Sequence, residues 1–98
     1  MFIVLLKFSD NKNQTPQFMM GHNQWIKQGF EDGVFLLVGS LQPGLGGSIM
    51  AHNMSLAELQ DRVNDDPFVV AKVVSAEILE ITPAKVDERL QFLLAQKN

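Results

Sequence analysis

The chain has no cysteine. A disulfide framework, a thiolate metal site and a cysteine nucleophile are therefore all excluded. Charge is scarce as well: 19% of the residues are Asp, Glu, Lys or Arg, below the roughly 25% of an average soluble domain. The eight basic residues are scattered and the formal net charge is -3. Phosphate binding needs clustered Lys and Arg, so a nucleic-acid partner is excluded. Long hydrophobic runs are missing too. Phe2-Ile3-Val4-Leu5-Leu6 is stopped by Lys7, too short to span a bilayer and without the basic leader or cleavage site of a secretory signal. These absences point to a soluble cytoplasmic protein with no membrane partner. There is no internal repeat, low-complexity segment or long linker, and 98 residues are expected to form one domain over 1–98.

What the chain does contain is apolar surface. Hydrophobic residues make up 46% of it, yet a chain this short buries only about two-thirds of its unfolded surface. Too few charges remain to cover a small sphere, and oligomerisation is the simplest explanation.

Phe2 to Phe8 reads as a strand with apolar residues on both faces until Lys7. Thr15 reads as an N-cap with Pro16 at the first helical position, opening a helix to about Gly29 that the turn Glu31-Asp32-Gly33 follows. Val34 to Leu41 is a second strand, with Val34, Leu36 and Val38 alternating against Phe35, Leu37 and Leu41. A loop over Gln42 to Gly47 leads into a third strand, Ser48 to His52, in a hairpin. Ser55-Leu56-Ala57-Glu58 is a capping box for a helix that Asn64-Asp65-Asp66-Pro67 ends. Phe68 to Lys72 is a bridging segment, Val73 to Ile81 a fourth strand, and Thr82-Pro83 opens a last amphipathic helix carrying Val86, Leu90, Leu93 and Leu94.

The order β-α-β-β-α-β plus a terminal helix predicts an α+β fold, a ferredoxin-like antiparallel sheet with both crossover helices on one face. The opposite face is apolar in the first two strands and must be covered, since an exposed sheet of that kind is an aggregation liability. A homodimer with two sheets packed face to face, the dimeric α+β barrel, is the expected solution.

Within this frame one residue is out of place. Phe18, His22, Trp25, Ile26 and Gly29 share one face of the first helix, which puts an imidazole where aliphatic residues belong. A side chain that titrates near neutral pH and turns inward needs a polar partner. Asp66 is one candidate, although an Asp before proline also initiates turns and Asp65 serves equally well at a helix end. Two carboxylates at a helix C-terminus oppose the macrodipole and call for an explanation. His52 reads as a surface residue. Ser40 and Ser48 flank the hairpin loop within reach of a ligand, and Trp25 and Phe30 are aromatic candidates for lining a pocket. The two histidines lack metal-ligand spacing, and Gly44-Leu45-Gly46-Gly47 lacks the Lys and Ser/Thr of a phosphate loop.

An inward His on the first helix, Gly39-Ser40 in the second strand, Gly47-Ser48 at the third and Asp66-Pro67-Phe68 after the second helix occur here in order along nearly the whole chain. In this the sequence resembles the YciI-like (YCII-related) family of small bacterial proteins with the dimeric α+β barrel fold. Family members are regarded as enzymes that hold a His and an Asp as a polar pair in a pocket between helix and sheet. The resemblance implies His22 and Asp66 as catalytic residues; Ser40, Ser48, Trp25 and Phe68 are the candidate ligand contacts. It implies cofactor-free elimination or isomerisation of small cyclic organic molecules, chemistry of a kind the related muconolactone-isomerase-like proteins perform on the same barrel. The loop from Gln42 to Gly46 and the terminal helix from Pro83 depart from the family pattern, so the substrate does not carry over.

Three functions of different class follow. One is a cofactor-free lyase or isomerase with His22 as acid/base and Asp66 as its orienting partner. Another is a small-molecule-binding or sensing module using the same pocket without chemistry. The last is a structural dimer whose His22 is only a core hydrogen-bonder, which predicts no cavity beside the imidazole.

Overall fold

In the computed structural model, which describes residues 1–94, β1 (Phe2–Phe8) lies inside the sheet. It pairs antiparallel with a strand on each side. The four-stranded sheet has the order β2-β3-β1-β4, with β2 at Phe35–Leu41, β3 at Gly46–Ala51 and β4 at Val74–Glu80. This is the ferredoxin-like α+β arrangement, with its helices on one face.

That face carries the core. Phe2, Val4 and Leu6 of β1 meet Phe35, Ile49, Ala51 and Val74 from the other strands, and Leu59, Val63 and Phe68 close over them from the helices. Each fully buried aliphatic or aromatic side chain contributes about 1.5–3 kcal/mol. The opposite face keeps Ile3, Leu5, Met50 and Leu41 half-buried and Leu37 54% exposed.

α1 (Thr15–Glu31) follows a 3₁₀ turn at Lys12–Gln14. Thr15 does not cap it: the preceding Gln14 already has near-helical backbone angles, and the Thr15 hydroxyl donates to the Lys12 carbonyl instead. Close packing on the sheet needs Gly29, because a Cβ there would collide with the Phe35 ring. The strict alternation expected along β2 is broken by a bulge between Phe35 and Leu37. After it, Val38 and Ser40 share the helix-covered face with Phe35, while Leu37 points the other way.

α2 (Leu56–Asn64) begins with the expected capping box: Glu58 N donates to Ser55 Oγ at 3.1 Å and Ser55 N to Glu58 Oε1 at 3.0 Å. Asp65 is its C-cap, and Asp66 is the N-cap of a separate one-turn helix, α3 (Pro67–Val70). That assignment answers the electrostatic objection, since a carboxylate at a helix N-terminus is favourable.

The expected terminal α-helix is absent between Thr82 and Leu94. After β4 the backbones of Met1 and Ile81 bond to each other, and the chain then runs irregularly to a 3₁₀ helix at Glu88–Leu93, kinked at Leu90 and capped by Asp87. Leu90 and Leu93 are three apart, which suits the tighter period, and of this segment only Leu93 is buried. Any continuation past Leu94 lies outside the described residues. His52, expected at the surface, is buried and its ring meets Phe92 edge-on at 5.6 Å. No helix among the described residues is long and apolar enough to cross a membrane.

Candidate functional site

α1 and the break between α2 and α3 bring together two residues 44 positions apart. His22 projects from the inner face of α1, and its Nδ1 lies 2.8 Å from Asp66 Oδ1. Asp66 is fully buried, and the same Oδ1 accepts the Phe68 backbone N–H at 3.0 Å. A carboxylate form of Asp66 can only accept, which assigns this bond as Nδ1–H to Oδ1; a neutral ring would then carry its lone pair on Nε2. Among the described residues, Asp66 Oδ2 is buried and accepts no hydrogen bond.

The imidazole has two aromatic neighbours. Phe68 stacks on it in parallel, with centroids 3.9 Å apart and planes 8° apart. Trp25 flanks it at 6.0 Å and 25°. The His22 side chain retains 12% exposure, and it opens onto a cleft of about 310 Å³ between α1 and the sheet. That volume is at the small end of ligand sites.

Most of the cleft wall is apolar: Leu6, Phe8 and Ile49 from the sheet, Met19 and Ile26 from α1, and Phe68 from α3. Polar groups are few, namely His22, Asn23, Thr15 and the Ser40–Ser48 hairpin, and no lining side chain is a Lys, Arg, Asp or Glu. The floor is made by Gly39, Gly46 and Gly47. Gly46 has φ +131°, and a Cβ on it would collide with the Leu6 carbonyl oxygen, so only glycine fits there.

The residues expected at the site divide accordingly. His22, Phe68 and Ser40 line the cleft, with Asp66 behind the imidazole. Ser48 pairs with Leu5 and Gly39, which puts its side chain on the opposite sheet face, so it meets the cleft along its backbone. Trp25, expected as a ligand contact, does not line the cleft. Its indole N–H donates to the Arg62 carbonyl at 3.0 Å and its ring meets Phe35 edge-on at 5.2 Å. The helical spacing that put it beside His22 is right, but its indole is directed to α2. Phe30 is 45% exposed and lies outside the cleft. Asn23, Met19 and Ile26 were not singled out as ligand contacts. The signal was present, because positions 19, 23 and 26 form a stripe next to that of His22.

Behind the site α1 is tied to α2. Arg62 pairs with Asp32 at 2.9 Å, and Gln28 donates to the same carboxylate at 2.8 Å. The Gln28 bond, then Arg62, hold the Asp32 carboxyl below its usual range. Among the described residues no group of three or more His, Cys, Asp or Glu is placed to hold a metal ion.

No protein-family model matches the sequence, and no curated protein sequence matches it. Among solved structures, the chain is similar to 5-chloro-2-hydroxyhydroquinone dehydrochlorinase (TftG) from Burkholderia phenoliruptrix AC1100, solved in complex with 2,5-dihydroxybenzoquinone. The TM-score is 0.67 at 12% sequence identity, covering 83% of this chain and 93% of the other. The two proteins share a fold.

Proposed function

We propose that this chain is a YciI-like, cofactor-independent enzyme that moves a proton in an elimination or isomerisation on a small uncharged or phenolic ring. One observation carries the reading: the Asp66 carboxylate binds Nδ1 of His22 at 2.8 Å while the ring borders an apolar cleft. In that arrangement His22 Nε2 is the base. It takes a proton from a C–H or O–H of the ligand, the released pair forms a new π bond, and the leaving group departs as an anion. In an isomerisation the imidazolium returns the proton to another carbon instead. Asp66 orients the ring and stabilises its charged form. The wall composition selects the ligand, because an anion such as a carboxylate finds no cationic side chain to offset its desolvation. The similar dehydrochlorinase, bound to a dihydroxybenzoquinone, supports the choice of class.

The test is a panel of halogenated hydroquinones and hydroxyquinones followed by absorbance and halide release. His22→Gln, shown to be folded by circular dichroism, is expected to lose about 10²–10⁴-fold in turnover. Full turnover by that variant overturns the reading. The apolar walls and the small exposure of His22 favour one other reading, a binding module, for which panel compounds would bind by thermal shift without product in any variant.

The pair is proposed to work in a homodimer joined through the sheet face opposite the helices, where Leu37 and Leu79 are 54% and 43% exposed. Leu37→Lys is expected to halve the mass measured by light scattering. A wild-type chain that is monomeric at micromolar concentration removes this part of the proposal.

A further inference from the structure

α1 meets the α2–α3 segment through contacts that rise in register. Gly21 passes Pro67, where a Cβ would lie 3.2 Å from the proline Cγ. His22 then meets Asp66, Trp25 meets the Arg62 carbonyl, and Asp32 meets the Arg62 guanidinium. Arg62 is thus held from both ends, and Asp66 is four residues beyond it. Trp25 follows His22 by three residues on the same helix, so the indole bond and the imidazole bond are adjacent rungs between the same two backbones.

We propose that Trp25 is a positioning residue for His22: its indole N–H, anchored on the Arg62 carbonyl, sets the register of α1 against α2 that keeps Nδ1 on Asp66. Trp25 does not line the cleft, so it acts through the imidazole and not on a ligand. Its ring also lies 6.0 Å from the imidazole and rests edge-on against Phe35, which fixes the indole in turn. Without the N–H, the Arg62 carbonyl keeps its helix-terminal bond from Asp65 N at 3.1 Å, so α2 itself stays closed. What is lost is the tie to α1. As a contribution to catalysis this rests on the proposed role of His22; as a statement about the His22–Asp66 bond it stands apart from turnover.

The chain has one tryptophan and two histidines, which makes the test direct. Histidine labelled with ¹⁵N reports the His22 Nδ1–H proton, and its exchange with water measures how often the bond to Asp66 opens. Tryptophan is replaced throughout by β-(3-benzothienyl)alanine, which keeps the ring shape and has sulfur in place of the N–H. Trp25→Phe is the genetic counterpart, and Glu58→Ala, which breaks the α2 capping box, controls for lost stability alone. Both Trp25 replacements are expected to speed that exchange by about fivefold or more, the opening expected for one lost hydrogen bond, while Glu58→Ala leaves it near wild type. Should Trp25→Phe fail to fold, the isosteric replacement decides. Wild-type exchange in the benzothienyl protein, or equal acceleration in Glu58→Ala, overturns the proposal. Neither result bears on whether His22→Gln abolishes turnover.

Discussion

The two crossover connections solve the same geometric problem in different ways. The first is one unbroken helix, α1, of 17 residues, with no side-chain cap at its N-terminus. It is held by what it buries, with Phe18, Trp25 and Gly29 against the core. The second is cut into α2 and α3, of 9 and 4 residues, each opened by a side-chain cap. Helices this short are unstable alone, so local caps matter more there. The cut also has a product. By restarting the helix at Pro67, the chain leaves Asp66 extended, at φ -61° and ψ 123°, with its carboxylate turned inward to Phe68 N and His22. An unbroken second helix would have no such inward cap to offer.

Removing that carboxylate is the most severe way to break the comparison. Asp66→Ala leaves the Phe68 N–H and the imidazole N–H unpaired and is expected to cost about 2–4 kcal/mol in urea unfolding. His22→Ala is expected to cost less, because Asp66 Oδ1 keeps its bond from Phe68 N. The reverse order would mean that the cut is held by α1 and not by its own cap. Next in size is the capping pair. Ser55→Ala should cost about 1 kcal/mol, whereas Thr15→Ala, at the start of α1, should stay within about 0.5 kcal/mol. Equal costs would erase the distinction between a capped and a packed helix.

The smallest effect is that of pH. Glu58 is held below its ordinary value of 4.5 by the Ser55 backbone N–H and then its side chain. Asp32 is held below 3.8 by Gln28 and then Arg62. Both pKa values are lower in the folded state, so their stabilisation is complete above those ordinary values and is lost as pH falls through the lowered ones. Thermal unfolding between pH 7 and pH 3 should therefore show a decline confined to the acid end, shallower in Glu58→Gln. A melting temperature that rises on acidification would contradict the assignment.

Local chemistry was the legible part of this chain. The capping box at Ser55 and Glu58 and the glycine-rich hairpin announce themselves in a few adjacent residues, and β1 was bounded correctly at Phe2 and Phe8. His22 stood out because an imidazole interrupts an apolar stripe. The bulge in β2 was hidden because every position from Val34 to Val38 is apolar, so no period existed for it to disturb. The terminal segment misled for a related reason: Val86, Leu90 and Leu93 fit a helical period, but the period alone does not separate α from 3₁₀. The roles of Trp25 and Ser48 depended on which element packs beside α1 and on sheet register, which adjacent residues do not encode.

The glycines under the cleft have a consequence for how this scaffold diversifies. Gly47 pairs with Leu6 and Ser40 on the helix-covered face, and a Cβ built on it meets no atom nearer than the Gly39 carbonyl oxygen at 3.4 Å. Cleft volume is thus set here by a missing side chain. Replacing that glycine with alanine and then valine would shrink the cavity stepwise while leaving His22 and Asp66 in position. In this position cleft volume can change by a single codon without touching the His22–Asp66 bond.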